Sequence, residues 1–581
     1  MEKHLRMIKM NIYKIFTGVL LAIVFSSCSD FLNVPPEEVL LPENHFQDKY
    51  DADAAIFGIY GKFIELAPQY VILNELRADL MDVTDNSDNY LRQINLHNVT
   101  AGNPYADPVP FYSVINSCND ALRNFEIMHN ELKLSDDEYD QRYSDIVTLR
   151  SWIYLQLAIH FGNVPYITEP VTSIEEAIKV ENQGYPMLSI TQMVETLINE
   201  MTALPYMNPY TESTLMTNID GYNTQAMFVH KMMFMGDLYL WNDDYENAAI
   251  AYKTVVDSWN SVNDNMRFDR YKLRWDDVNN PRYYSAGFSR YYENDYNSRY
   301  NVWINMFSDA QTTIFYNEWI WVMHYHDFYG AVNPFIDLFL NNYTLKPSQF
   351  VINNWESQRF SNGFYGDFRG VDGSYRMDGD HPVIMKYIYN YNPLLPSNKA
   401  GKWFISRTAG LHLRYSEAVN RNGHVKIAYS LLNNGIGANY RGPQSDLLDG
   451  DITYEQKTLL PFPYDWDAAM STTSQIPYSR GTHHRNVGVR RRVSQENTIY
   501  PTEMDSLTVM ENQLIDEAAR ELAFEGQRWP DLVRIALRRG TPEYLAEKVY
   551  QKHLAAGNPE AENIRTKLMD PANWYLPFGS N

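Results

Sequence analysis

Between Tyr283 and Trp303 the chain carries eight aromatic residues in 21 positions, namely Tyr283, Tyr284, Phe288, Tyr291, Tyr292, Tyr296, Tyr300 and Trp303, against a chain-wide aromatic share of 14%. Arg282, Arg290, Arg299, Asn294, Asn297 and Asp295 are interleaved with them. A pyranose presents apolar C–H faces that stack on rings and hydroxyl edges that need amides, carboxylates and guanidinium donors. The segment thus holds the mixture that sugar recognition requires. The plainer alternative is that many of these rings pack the loop onto its support.

Other chemistry is poorly served. There is no Gly-x-Ser-x-Gly, no His-Glu-x-x-His and no phosphate loop, and Gly435-Ile436-Gly437-Ala438-Asn439-Tyr440 lacks the third glycine of a dinucleotide fingerprint. His483-His484 and His324-Tyr325-His326-Asp327 lack the further ligands of a metal site. Asp82, Asp85, Asn86 and Asp88 crowd one loop, but the glycine and glutamate of a calcium loop are missing, which favours a solvated loop. The expectation is a non-catalytic protein with no cofactor and no resident metal.

Cys28 has a different use. Lys3, Arg6, Lys9 and Lys14 precede a short apolar run from Ile15 to Phe25, which ends in Phe25-Ser26-Ser27-Cys28. This is the pattern of a signal peptide with a lipobox, and it predicts removal of residues 1–27 and a lipid on Cys28. The run is well short of the roughly 20 residues needed to span a bilayer. The other cysteine, Cys118, is then left without a partner and reads as a small buried hydrophobe. Cleavage removes four basic side chains and Glu2, moving the net charge from −23 to −26. A field of that sign repels nucleic acid and anionic lipid surfaces, so the membrane contact expected is the lipid itself.

The elements that must position these residues are mainly helical. Apolar residues recur at helical spacing in Ala52, Ala55, Ile56, Ile59, Tyr60 and Phe63, and again in Ile146, Leu149, Ile153, Leu157 and Phe161, before Gly162 and Pro165. A third set runs from Ile190 through Val194, Leu197, Ile198 and Met201 to Leu204. Met232, Met235, Gly236, Tyr239, Ala248 and Tyr252 follow the spacing of a tetratricopeptide repeat, in which small residues let paired helices approach. Residues 266–400 are rich in Tyr, Asn, Asp, Gly and Arg with little period. Within them, Ile314 to Tyr325 alternates as a strand with Trp319 and Trp321 directed to the core. Helical pattern returns at 403–433 and 508–556.

The string Arg520-Glu521-Leu522-Ala523-Phe524-Glu525-Gly526-Gln527-Arg528-Trp529-Pro530-Asp531-Leu532-Val533-Arg534 resembles the C-terminal signature of the SusD/RagB family, the surface lipoproteins of Bacteroidetes nutrient uptake. Physically, Gly526 suits a left-handed helix cap and Trp529 before Pro530 is expected outside helical geometry. Pro530 and Asp531 suit the first turn of the next helix. Glu521, Glu525 and Arg528 are expected to pair across this corner in a structural role.

Phe31-Leu32-Asn33-Val34-Pro35-Pro36, Ala158-Ile159-His160-Phe161-Gly162-Asn163-Val164-Pro165, Asn317-Glu318-Trp319-Ile320-Trp321 and Leu413-Arg414-Tyr415-Ser416-Glu417-Ala418-Val419-Asn420 are similar to further family segments, in family order. Trp574-Tyr575-Leu576-Pro577-Phe578 is only loosely similar to the family's ending.

The resemblance implies a mainly α fold of tetratricopeptide-like helix pairs supporting a loop-rich, short-strand ligand-binding lobe. It divides the chain into a signal peptide (1–27), a helical region (28–265), an aromatic-rich binding region (266–400) and a C-terminal region completing the scaffold (401–581). It adds Trp275, Asp79, Asn98 and Tyr105 to the candidate ligand residues. It also implies a lipid-anchored, surface-facing outer-membrane protein that binds a glycan and hands it to a SusC-like TonB-dependent transporter. Uptake of oligopeptides on the same fold and a surface glycosidase with two unmarked carboxylates are the alternatives.

Overall fold

The computed structural model describes residues 46–578, apart from 174, 177, 179–183, 211–212, 220–221, 259–270, 274–302, 309–317, 327–330, 437–459, 467–482, 484–485 and 503. Helices dominate, and each has a local reason to begin. Asp48 accepts from the backbone N–H groups of Tyr50 and Asp51 to start α1 (Lys49–Phe63), while Asp51 reaches back to close a capping box. A three-residue strand β1 (Met81–Val83) and the short α2 (Asn89–Asn95), capped by Asp88, follow. The long pair α3 (Val109–Asn130) and α4 (Asp136–Phe161) comes next. Ser135 and Glu138 form the capping box of α4, and Gly162 ends it with φ +76°. From Ser144 onward every residue of α4 is buried, so this helix is the axis of the molecule.

Ser189 and Gln192 cap α5 (Ile190–Thr202). The repeat-like spacing resolves into the antiparallel pair α6 (Lys231–Trp241) and α7 (Tyr245–Asp257). A Cβ added at Gly236 would lie 2.5 Å from Tyr252 Cε1, which is why the helix can cross so closely only at a glycine.

The expected strand is β2 (Trp319–Tyr325), the part of Ile314 to Tyr325 that falls within the described residues apart from Glu318, which is in a turn. After β3 (Leu345–Pro347), which pairs with β1, come α8 (Gln349–Glu356) and the hairpin of β4 (Tyr375–Asp378) and β5 (His381–Ile384). Residues 403–407, expected to be helical, instead belong to β6 (Gly401–Arg407), antiparallel to β2. Trp403, Phe404 and Ile405 are bulky or β-branched and fit a pleated surface better than a helix turn. Trp321 and Trp403 pack on Phe63, with ring centroids 5.3 and 5.0 Å away, and Trp152 lies 5.3 Å from Trp321. Trp319 and Phe404 join a separate small cluster with Trp303 and Phe307.

The helical pattern then continues as α9 (Thr408–Arg421), α10 (Val425–Leu432), α11 (Ser506–Glu521), α12 (Arg528–Arg539), α13 (Pro542–Ala555) and α14 (Ala561–Leu568). No helix among the described residues is long and apolar enough to cross a membrane. Cys118 is buried in α3 as a small core side chain.

The corner between α11 and α12 is an ion lattice with the interior closed around it. Arg407 binds Glu318, Glu521 and Glu525, each at 2.8 Å. Arg492 binds Glu318 at 2.8 Å and Glu521 at 2.6 Å, while Arg369 binds Asp367, Glu517 and Glu521. Lys386 meets Glu525 at 2.6 Å, and Arg490 and Arg520 meet Glu517. Glu521, Glu525 and Arg528 therefore do not pair with one another. Each faces a partner distant in sequence, and Arg528 makes a two-pronged bond to Asp79 at 2.6 and 2.7 Å.

Gly526, expected as a helix cap, has the left-handed φ of +80° but lies past the end of α11, whose C-cap is Leu522; the glycine is required because a Cβ there would sit 2.1 Å from the Tyr70 ring. The backbone N–H groups of Phe524, Gly526 and Gln527 all donate to the buried Glu75 carboxylate. Trp529, expected outside helical geometry, lies in the first turn of α12. Pro530 lacks an N–H that would have no intrahelical partner there, and the Arg77 guanidinium holds the Trp529 ring from 4.1 Å.

Two outcomes follow from this packing. Gly236→Ala forces the methyl into a tyrosine whose hydroxyl is tied to Asp237 at 2.6 Å, and is expected to cost about 1–3 kcal/mol in denaturant unfolding. Burial alone would raise Glu521, but the guanidinium groups of Arg492, Arg407 and Arg369 outweigh it and hold the carboxyl at about 2. Its folded value lies below its unfolded one, so its stabilisation is present at neutral pH and is lost as the pH falls from about 4.5 toward 2. Glu521→Gln is expected to lose about 3–5 kcal/mol at pH 7 and to shrink the acid-side loss of melting temperature. A variant as stable as the parent would show that the lattice does not hold the corner.

Candidate functional site

An open cleft of about 800 Å³ is enclosed by residues of four separate stretches, 82–96, 340–346, 378–383 and 553–558. Its first wall is a loop that the backbone keeps rigid. The Arg92 guanidinium donates to the carbonyls of Ser87, Thr84 and Asp85 at 3.2, 3.0 and 3.0 Å. Thr84 and Ser87 hydroxyls donate to the carbonyls of Tyr343 and Thr344, each at 2.5 Å, and the Asn86 amide donates to Asn342. Asp88 is spent on capping α2. Asp82, Asp85 and Asn86 line the cleft.

The opposite wall is the β4–β5 hairpin, turned at Gly379 with φ +61°. It brings the exposed Asp378, Asp380 and His381 to the cleft. The half-buried Tyr343 joins the two walls, with its hydroxyl on the Pro382 carbonyl at 3.4 Å and its ring 4.8 Å from that of His381.

The floor is buried and polar. Asp82 Oδ1 accepts from the Asn95 amide at 3.0 Å and from the Val83 N–H at 2.8 Å. Asn95 is 3% exposed, and its Oδ1 has no hydrogen-bond partner among the described residues. Asn558 donates to His553 Nδ1 at 3.0 Å, which places the imidazole proton on Nε2. Burial, and then the nearby Lys552 charge, push His553 down to about 3, so the ring is neutral at physiological pH. Among the described residues the cleft thus offers carboxylates, amide groups, Arg92, Lys346 and a tyrosine ring.

The candidates named from sequence are distributed unevenly. Cys28, Trp275, Tyr283, Tyr284, Tyr291, Tyr292 and Tyr296 lie outside the described residues. Trp303 is fully buried, its ring packed on Phe307 at 5.3 Å with Lys386 and Arg407 near its face. Asp79 is likewise interior, committed to Arg528 through both oxygens, so it is a scaffold residue in this structure. Asn98 is exposed just past α2, and Tyr105 is half-buried, with burial and then the Asp88 charge raising its hydroxyl pKa. Neither lines the cleft.

His324 is half-buried in β2, and His483 pairs with Asp257 at 3.2 Å, while His484 and Asp327 fall outside the described residues. Among the described residues no group of three or more His, Cys, Asp or Glu side chains is placed to hold a metal.

Sequence reasoning missed Tyr343, Lys346, Asp378, Asp380, His381, Asn95 and Asn558. The one signal available was Asp378-Gly379-Asp380, a turn pattern that presents carboxylates at a hairpin tip.

In fold, the chain is similar to a SusD superfamily protein from Bacteroides vulgatus, with a TM-score of 0.57 and 15% identity over 91% of this chain and 95% of that one. This is a SusD-like fold. The surface glycan-binding protein A of Bacteroides uniformis is also similar, with a TM-score of 0.53 and 16% identity over 91% of this chain and 96% of that one. In sequence, the SusD-like protein P2 of Formosa agariphila is 27% identical over 270 residues, 42% of this chain and 51% of that protein. The chain thus spans about half the length of this curated relative. No family model matches the chain. The resemblance drawn from the Glu525 string and the fold agree.

Proposed function

We propose that this chain is a non-catalytic binding protein that captures an oligosaccharide in the cleft bounded by Asp82, Tyr343 and the β4–β5 hairpin. The observation that carries the reading is the composition of that open cleft. Carboxylates and an orphaned amide oxygen accept from sugar hydroxyls, Arg92 and Lys346 donate to them, and the Tyr343 ring offers a stacking face. The glycan-binding protein with the same fold supports it.

In this reading Cys28 carries the lipid that tethers the protein to the outer membrane, surface-facing, and a SusC-like TonB-dependent transporter receives the glycan. The aromatic run Tyr283 to Tyr300, with Trp275, supplies further ring contacts, the buried Trp303 being excluded.

A peptide ligand is the second reading, favoured by the excess of Asp82, Asp85, Asp378 and Asp380 over Arg92 and Lys346, which suits a cationic chain. Calorimetry with a glycan panel and a peptide panel, with product analysis of every mixture, separates the two. Saturable glycan binding without bond cleavage is expected, and Tyr343→Ala is expected to weaken it up to about tenfold by removing ~0.5–1.5 kcal/mol of stacking. Sugar release would make the protein a glycosidase, and binding of basic peptides alone would select the second reading. Cys28→Ser is expected to free the protein from the membrane fraction, and retention there would refute the lipid anchor.

A further inference from the structure

On the far side of the turn that follows α2 lies a smaller cavity of about 100 Å³. Leu96 lines the cleft and the next residue, His97, lines this cavity. Among the described residues its lining includes Arg77 and Lys567 and no carboxylate, a local reversal of sign in a chain of net charge −23.

Arg77 is 2% exposed. Buried guanidinium groups are ordinarily met by carboxylates, as Arg142, Arg369, Arg407 and Arg528 are here. No carboxylate among the described residues pairs with Arg77. Its Nη2 donates to the Trp574 carbonyl, its Nη1 meets His160 Nδ1 at 3.2 Å, and its flat face lies on the Trp529 ring. Of the five N–H groups of a guanidinium, two are thereby used. Burial draws its pKa down to about 9, opposed only by Tyr575.

The rim is set by a strained residue. His97 adopts φ +55°, which is uncommon for a side chain of this kind. That turn puts its Nε2 on the Arg77 carbonyl at 2.9 Å and its own carbonyl under Lys567 Nζ at 2.5 Å, fixing the ammonium beside the cavity. Burial, followed by the Arg77 and Lys552 charges, keeps His97 well below the usual histidine range, so it brings no charge of its own.

We propose that this cavity is an oxyanion site, taking a sulfate, phosphate or carboxylate group between Arg77 at its base and Lys567 at its rim. The volume is ample for one such group. The anion is either a free ion or a substituent on a glycan, and the site does not depend on the cleft reading.

Calorimetry on the full chain at constant ionic strength, using sodium sulfate with sodium chloride as the control, tests it. Saturable sulfate binding is expected, weakened tenfold or more in Lys567→Glu, an exposed position whose change leaves the core intact. Arg77→Gln is expected to abolish it, and Lys567→Glu carries the test should that variant not fold. Tyr343→Ala, in the cleft, is expected to leave sulfate binding unchanged, which keeps failure of the glycan reading separate from failure of this one.

Oligosaccharides of dextran and of dextran sulfate distinguish the sources. Preference for the sulfated chain assigns a glycan substituent, and binding of inorganic sulfate alone assigns a free ion. Absence of both, or equal affinity in Lys567→Glu, overturns the proposal.

Discussion

Arg407, buried among Glu318, Glu521 and Glu525, is the constraint on which the rest of this fold depends. Each ion taken out of water costs several kcal/mol, and mutual attraction recovers this only when the geometry is complete. Arg369, Arg492, Arg490, Arg520 and Lys386 complete it, so that Glu318, Glu517, Glu521 and Glu525 each face two or more cations. Such a lattice adds modest net stability over a well-packed apolar core. Its effect is intolerance: strands β2 and β6, the segment around Arg369 and helices α11 and α12 have one permitted arrangement, because any shift strands a charge.

The cleft inherits its geometry from that corner. Asp79, held by Arg528, lies two residues before β1, whose Asp82 forms part of the cleft floor. Lys552 of α13 donates to the carbonyls of Leu76 and Ala78 at 2.6 and 3.1 Å, so the helix that carries His553 is docked on the same turn. A polar cleft made of loops would ordinarily be soft. Here its floor is tied through Asp79 to Arg528 at the α11–α12 corner, while its β4–β5 wall stands out into solvent.

The sequence told most where the physics was local. Gly236 and Tyr252 announced a helix pair because the close approach needs a small residue opposite a ring at fixed spacing. Gly162 marked a helix end for the same kind of reason, whereas Gly526 keeps its left-handed φ but lies past the end of α11, whose C-cap is Leu522. Trp403 to Arg407 misled because a short run with bulky apolar residues has no decisive period, and only pairing with β2 makes it a strand. Glu521, Glu525 and Arg528 look like natural partners along a helix, yet each is claimed by a side chain elsewhere, since burial selects partners in space. The cleft was nearly illegible, being assembled from four stretches that are far apart in sequence, each bland alone. Asp79 illustrates the limit: its residue type suits a ligand contact, and only its position beside Arg528 shows it is occupied.

The reach of the Glu75 and Asp79 bonds has a consequence for how the chain comes to its final state. Their partners lie about 450 positions downstream, at Gly526 and Arg528. Until those residues are made, the early helices carry two uncompensated acids at what will be the centre of the molecule, a strong penalty against premature burial. Removing the last quarter of the chain therefore removes the partners that meet Glu75 and Asp79 in the folded interior.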